Sequence, residues 1–319
     1  MHAPFSEAET VRRQLIEAGR LRNDLKVAKD EAGIWFPTTV GEVLHDFEPQ
    51  AARVRHYTEL LDWPAADLAA CPRAFDALGD ILIVKVPPAV WERRLAVGEA
   101  MRTFAQARAV FHDHGVTGEF RTRRLERIAG GGGSETRVAE NGVRLFVDPA
   151  AAYYSPRLAD ERRRITEAVQ SGERVIDLFG GVAPQGIQLA KAGADVVSVD
   201  LTPAAIALAT KNRDANKVPI ELHCGDTREL APRLAPADRV IMNLPHGAKH
   251  FLAEGAVATK PGGVLHHHEI MPVDDLDSRQ AEFIDELATA GRIATVEHVR
   301  HVRAYSSTEA HYVFDVRLD

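Results

Sequence analysis

The sequence predicts an α/β protein, with a parallel sheet in its C-terminal half and smaller α+β domains before it. Two observations carry that expectation. From Tyr154 onward, short apolar runs alternate with helical stretches, the pattern of strands joined by crossover helices. Within it, Arg174-Val-Ile-Asp-Leu-Phe-Gly-Gly-Val182 reads as a buried strand entering a glycine turn, and Val197-Ser-Val-Asp200 as the next strand closing on a carboxylate. The unit is Rossmann-like: glycines let backbone approach a ligand, and the acid can accept hydrogen bonds from a ribose diol.

The elements follow in order. Residues 1–50 read as a small unit, with a helix over Glu7 to Ala18 (Val11, Leu15 and Ile16 inward) and short strands at Asp24 to Val27 and Gly33 to Pro37. Residues 51–150 form a second α+β domain. It has a helix at Tyr57 to Leu61, a strand from Asp80 to Val86 stopped by Pro87-Pro88, and an amphipathic helix from Trp91 to Gln106 with Leu95, Met101 and Phe104 inward. The arginine-dense stretch Gly118 to Arg127 leads into Gly130 to Gly133, which cannot be the interior of an element. Glu140-Asn-Gly142 is a hairpin-type turn, followed by a strand from Val143 to Val147. Residues 151–319 hold the parallel sheet. Its strands are expected at 174–178, 195–199, 220–223, 238–242 and 263–268, with an antiparallel pair at 294–302 and 310–317.

Composition narrows the class of function. A hydrophobic share of 45% and a charged share of 27% are those of an ordinary globular protein. The net charge of −7 argues against indiscriminate nucleic-acid coating, though not against a local basic groove. Two cysteines, Cys71 and Cys224, show neither a disulfide framework nor metal-ligand spacing. Met1 to Glu7 lacks a signal-peptide pattern, and no apolar run reaches spanning length. The chain is expected to work in the cytoplasm, as a monomer, away from membranes. His266-His-His-Glu269 alternates faces in a strand and reads as core edge, so no metal is expected.

Gly180-Gly-Val-Ala-Pro-Gln-Gly186 matches neither the dinucleotide fingerprint nor the phosphate loop, because Ile187 follows where a lysine should be. Glycines alone are as consistent with a ligand-free turn. Three acids shift the balance: Asp177 at the end of the first strand, Asp200 closing the second and Asp226 after the third converge on one crevice. A cationic ligand bearing ribose and adenine uses such a set, so S-adenosylmethionine fits better than NAD. The fourth strand ends in Asn243-Leu-Pro245, which resembles the amide-proline motif of methyltransferases acting on planar nitrogens. A plain strand end with an Asx-type turn is the bland alternative.

Several further segments resemble one family, the archaeal and eukaryotic tRNA (guanine-37, N1) methyltransferases. They are Gly118-Glu-Phe-Arg121, Ala129-Gly130, Glu135-Thr136, Glu140-Asn-Gly142, Asp148, Tyr153-Tyr-Ser-Pro-Arg-Leu158, Glu161-Arg162 and Met242-Asn-Leu-Pro245, in family order. The chain departs from the family at Gly180 (usually alanine), Ala183 (usually glycine), Gln185 (often aromatic) and Ser306-Ser307 (often containing proline). The first two are small-for-small exchanges. A sister family transfers an aminocarboxypropyl group from the same donor in wybutosine synthesis. It typically lacks the Asn-Leu-Pro segment, so Asn243-Leu-Pro245 favours methyl transfer.

The resemblance implies a class I methyltransferase domain and assigns roles. Guanine N1 must lose its proton while negative charge collects at O6, and the family pattern places Glu161 as the base and Arg121 as the O6 donor. Asn243 would hold the guanine edge and Tyr153 its plane. The implied donor-binding set is Asp177, Phe179, Gly180, Gly181, Asp200, Leu201, Asp226, Thr227, Asn243 and Pro245. Phosphate contacts are expected from the two basic runs, chiefly Arg123, Arg157 and Arg162, with the target base flipped out of the anticodon loop. The small N-terminal domain would contact the tRNA body. A solvated helix face is the bland alternative for Glu161 and the arginines. A non-enzymatic RNA-binding module, or a methyltransferase for adenine or glutamine amides, are the alternatives in other classes.

Overall fold

The structure, a computed structural model, describes residues 1–41, 45–49, 54–117 and 122–319. It divides into two compact units, Met1–Asp62 and Trp63–Asp319. In the first, strands β1 (His2–Pro4), β2 (Ala28–Lys29) and β3 (Gly33–Trp35) pair antiparallel in the order β1-β3-β2, with helix α1 (Ala8–Glu17) following β1. Leu15 of α1 joins Ala3, Ala8 and Phe36 in a small core, while Ile16, expected inward, is exposed. The strand expected at 24–27 is displaced, because the residues that pair with β3 are Ala28 and Lys29.

The second unit opens with helix α2 (Ala65–Ala70), strands β4 (Phe75–Leu78) and β5 (Ile81–Val84), helix α3 (Arg94–Ala105), and strands β6 (Ala109–Thr117) and β7 (Thr122–Gly130). The sheet order is β4-β5-β6-β7, with β5 and β6 parallel. The expected helix start at Trp91 is instead a 3-10 turn, Pro88–Arg93. The inner face of α3 is Val97, Ala100 and Met101; Leu95 is 59% exposed. Gly98 explains the rotation, since a Cβ there would sit 2.9 Å from Ile128 O, so the helix rests on β7 at its glycine. The described part of the arginine-dense stretch, from Thr122 on, is strand β7, hidden from periodicity by its polar residues. Strands β8 (Thr136–Glu140) and β9 (Val143–Val147) form the expected hairpin, turning at Asn141 (φ 45°) and Gly142 (φ 79°).

Next come α4 (Ala159–Ala168), β10 (Arg174–Asp177), α5 (Pro184–Lys191), β11 (Asp195–Asp200), α6 (Pro203–Asn216), β12 (Ile220–Cys224) and α7 (Thr227–Leu234). Then follow β13 (Ala237–Met242), α8 (Leu252–Ala258), β14 (Thr259–Pro272), α9 (Leu276–Thr289), β15 (Ala294–Ala304) and β16 (Glu309–Leu318). The seven strands order as β12-β11-β10-β13-β14-β16-β15, parallel except that β16 slots antiparallel between β14 and β15. Strand order reverses between β10 and β13, which opens a crevice beyond their carboxyl ends.

The boundary between the compact units falls at Asp62 and Trp63, against domain breaks expected at 50 and 150. Position 50 lies outside the described residues, and at 150 no separation occurs. Leu78, Ile83 and Phe111 share one buried cluster with Leu145, Val175 and Ile187, so the small sheet, the hairpin and the large sheet have a common core. A second cluster, with Ile176, Val240, Phe283 and Phe314, fills the sheet's other face. Among the described residues no helix is long and apolar enough to cross a membrane.

Candidate active site

The loop after β10 is shaped by what it cannot hold. A Cβ on Gly180 would lie 1.9 Å from Ser198 Oγ on the neighbouring strand, and Gly181 has φ +57°. An alanine at 180 would therefore require the Ser198 side chain to move. Ala183, where the family has glycine, sits at φ 58° as the residue before α5. That left-handed backbone costs about 1 kcal/mol, which the fully buried methyl largely offsets. Gly181 N–H donates to Asp200 Oδ2 (2.9 Å) and Thr202 N–H to Asp200 Oδ1 (2.8 Å). Each Asp200 oxygen keeps a lone pair for a ribose hydroxyl.

The loops at the strand ends enclose a crevice of about 610 Å³. One end is lined by Phe179, Gly180, Gly181, Asp200, Leu201, Asp226 and Thr227, all expected there. Asp226 caps α7, accepting from Arg228 N–H at 2.8 Å. Two residues that no motif pointed to complete this end. The Arg228 guanidinium lies 4.1 Å from the Phe251 ring centroid, and Phe251 meets Phe179 edge-on at 5.1 Å. Flat aromatic faces beside a carboxylate suit an adenine ring and its amino group.

Tyr153, Asn243 and Pro245 line the other end, with His246, Ile270, Arg303, Tyr305 and His311. Here the backbone is tied down: Pro245 O accepts from Ile270 N–H (2.9 Å), and Leu244 O from Gly247 and Ala248 N–H (2.8 and 2.7 Å). The Asn243 amide has no hydrogen-bond partner among the described residues, leaving it available to a base edge. At the β15–β16 turn, Ser306 Oγ accepts from Thr308 and Glu309 N–H, doing by hydrogen bonding what the family's proline does by ring constraint.

Of the other expected site residues, Asp177 and Glu161 stand outside the crevice wall, Arg162 borders it but is committed within the protein, and Arg121 is not among the described residues. Asp177 lies beneath the loop, with its Oδ2 3.5 Å from the place of a Gly180 Cβ, and is absent from the crevice wall. Burial pushes its carboxyl up to about 7; the Phe179 N–H pulls it back and the Asp200 charge pushes it further. Arg162, expected on phosphate, is 4% exposed and forks onto Glu140 at 2.6 and 2.5 Å. Glu140 also accepts from Tyr154 Oη (2.7 Å) and Gln188 (2.8 Å), a buried knot that ties the hairpin to α4 and α5. With its Nε and Nη2 committed in this way and the side chain almost fully buried, Arg162 is placed as an internal brace. Glu161 is 2% exposed and outside the crevice wall, accepting from Arg164 (2.6 Å) with Arg300 Nε at 3.2 Å. Arg164 in turn holds Asp315, which His266 also contacts at 2.6 Å. Arg121 lies outside the described residues.

Arg157 is exposed and shares Asp76 with Arg123 (2.7 and 3.0 Å). The three histidines of β14 are buried: His266 meets Asp315, His267 meets Glu269, and His268 meets His311 at 3.1 Å.

A family model described as the TRM5/TYW2 methyltransferase domain matches residues 136–296, and one described as the TYW2 N-terminal domain matches residues 57–133. The tRNA (guanine(37)-N(1))-methyltransferase Trm5b of Pyrococcus abyssi is 36% identical over 99% of this chain and 97% of its own length. The crystal structure of wild-type Trm5b from Pyrococcus abyssi superposes with a TM-score of 0.79 at 35% identity, covering 100% of this chain and 98% of that one. The structure of aTrm5 in complex with tRNALeu gives 0.77 at 28% identity, covering 100% and 99%. With a matching domain model over half its length and a relative alike from end to end, this chain belongs to the TRM5/TYW2 methyltransferase family.

Proposed function

We propose that the protein is a tRNA methyltransferase that moves a methyl group from S-adenosylmethionine to N1 of guanine 37. The supporting observation is the two-ended crevice. Asp200, Asp226 and the Phe179–Phe251 pair suit a nucleoside at one end, and the unpaired Asn243 amide suits a base edge at the other. Near full-length likeness to a guanine-37 methyltransferase supports the same acceptor.

The sulfonium of the donor supplies an electrophilic methyl group. The chain's residues do the rest by position. Asn243 holds the guanine edge, Tyr153 borders its plane, and Pro245 fixes the loop. Glu161 takes the N1 proton as the N1–methyl bond forms, and Arg121 donates to O6 where negative charge gathers. Glu161 is buried outside the crevice wall and faces two guanidinium groups, so this role requires one of them to let go and the carboxylate to turn into the crevice. Arg300, 38% exposed on β15, is the one RNA can draw away. Arg123 and Arg157, which share a single carboxylate, are the phosphate contacts of this reading. Residues 1–50 serve the tRNA body, 51–150 the RNA approach and 151–319 the chemistry, in a monomer of the cytoplasm.

Unmodified tRNA transcripts incubated with labelled S-adenosylmethionine, then digested to nucleosides, test this. N1-methylguanosine is expected. An aminocarboxypropyl product would move the chain to the sister activity, which the match of residues 57–133 keeps in view.

A further inference from the structure

Three arginines line the crevice, and two are already committed. Arg162 forks onto Glu140, and Arg228 is paired with Asp226 while lying over Phe251. Arg303 has no carboxylate partner among the described residues, and its Nε is buried without a hydrogen bond. A guanidinium so placed carries an unmet donor and an unmet charge, both of which an anionic ligand satisfies.

Strand register says which end of the crevice it serves. Pro245 O is bonded to Ile270 N–H, Ile270 stands opposite His311, and His311 stands opposite Arg303. The row therefore runs outward from the Asn243-Leu-Pro245 segment, across β14, β16 and β15, on one face of the sheet. The carboxylates that suit the donor nucleoside, Asp200 and Asp226, follow β11 and β12 on the far side of β10. A register shift in β15 falls between His301 and Arg303, and such bulges re-aim the side chain that follows. Burial, and then the charge of Arg303, lower His311 to about 4, so at pH 7 it is a neutral neighbour adding no repulsion.

We propose that Arg303 binds the nucleotide being methylated, through a negatively polarised oxygen at the acceptor end of the crevice. This rests on the proposed methyl transfer to guanine. A flipped guanine nucleotide offers two such oxygens, a phosphate oxygen and O6 beside N7, and an arginine fork matches either.

The test is single-turnover methylation of tRNA by the wild-type, Arg303→Ala and Arg303→Lys proteins, with S-adenosylhomocysteine affinity measured by calorimetry. Arg303→Ala is expected to lower kcat/KM for tRNA roughly 10- to 100-fold and leave S-adenosylhomocysteine affinity within about twofold. Two tRNAs identify the contact: one with 7-deazaguanine at the target, which lacks the N7 that a two-point contact needs, and one with a methylphosphonate 3′ to it. The substrate that erases the difference between wild type and Arg303→Ala carries the contact. Rescue by Arg303→Lys accompanies the phosphate outcome but not the two-point O6/N7 outcome. An unchanged kcat/KM in Arg303→Ala, a loss of S-adenosylhomocysteine affinity, or a difference that neither altered tRNA narrows would each overturn the assignment. Wild type inactive on tRNA would bring down the methyl-transfer reading itself, and Arg303's role with it. Active wild type with an indifferent variant brings down Arg303 alone.

Discussion

Replacing Asp177 with asparagine isolates the cost of burying one carboxyl under the cofactor loop. Its carboxyl titrates near 7 in the folded protein against 3.8 in the open chain. Between those values the folded state keeps a proton that the unfolded state has released. Stability is therefore fully present below about pH 4, falls as pH rises, and levels off above about pH 7. At about 1.4 kcal/mol per pH unit, a span of about 3 units removes about 4 kcal/mol by pH 8. The asparagine variant has no such slope, whatever offset its unsatisfied amide hydrogens add. Urea unfolding of both proteins from pH 4 to 8 measures this. The gap between the two unfolding free energies should shift by about 4 kcal/mol in the variant's favour across the range. Parallel curves would refute the claim that Asp177 is held largely protonated beneath Gly180.

Glu140→Gln strands the buried Arg162 guanidinium and should cost about 3–5 kcal/mol in thermal or urea melts. In Arg162→Ala the salt dependence of tRNA binding should keep its slope, because that side chain meets no phosphate; a slope lower by about one unit would return it to the RNA interface. Glu161→Gln should lower the methylation rate by a factor of about 10²–10⁴ and leave S-adenosylhomocysteine affinity intact, since Glu161 is not in the crevice wall; equal losses in both would make it a structural residue. Phe251→Ala should weaken S-adenosylhomocysteine binding in calorimetry by at least tenfold, with tRNA affinity unchanged, as expected for an adenine face.

Legibility in the sequence followed how local the determinants are. Strands β10, β11 and β13 were readable because they are largely buried and rich in Val and Ile, and the Asn141-Gly142 turn because its backbone needs those residue types. The face of α3 was not, because Gly98 and not a large apolar residue marks its contact. Strand β7 was hidden by its arginines, of which Arg123 has its partners on other elements, Asp76 and Asp113. In the site, Asp200, Asp226 and Asn243 stand at strand ends and were legible from position. Arg162 and Arg163 look alike in sequence, but a helix turns consecutive residues about 100° apart, so one lies inside and the next outside. Phe251, Arg228 and Arg303 reach the crevice from segments without a motif; nothing short of the strand order brings them together.

The late position of β15 and β16 has a consequence for the order in which the protein comes into being. Strands β10 to β13 and their loops emerge from the ribosome before β14 to β16 and can dock as a parallel unit. Arg303, Tyr305 and His311 follow all of these in the chain, and β16 must insert between β14 and β15 after both exist. A polypeptide that stops before β15 would hold Asp200, Asp226 and Asn243 but lack Arg303, Tyr305 and His311, so on the proposed reading it would keep the donor's carboxylates and lose part of the wall that faces the base.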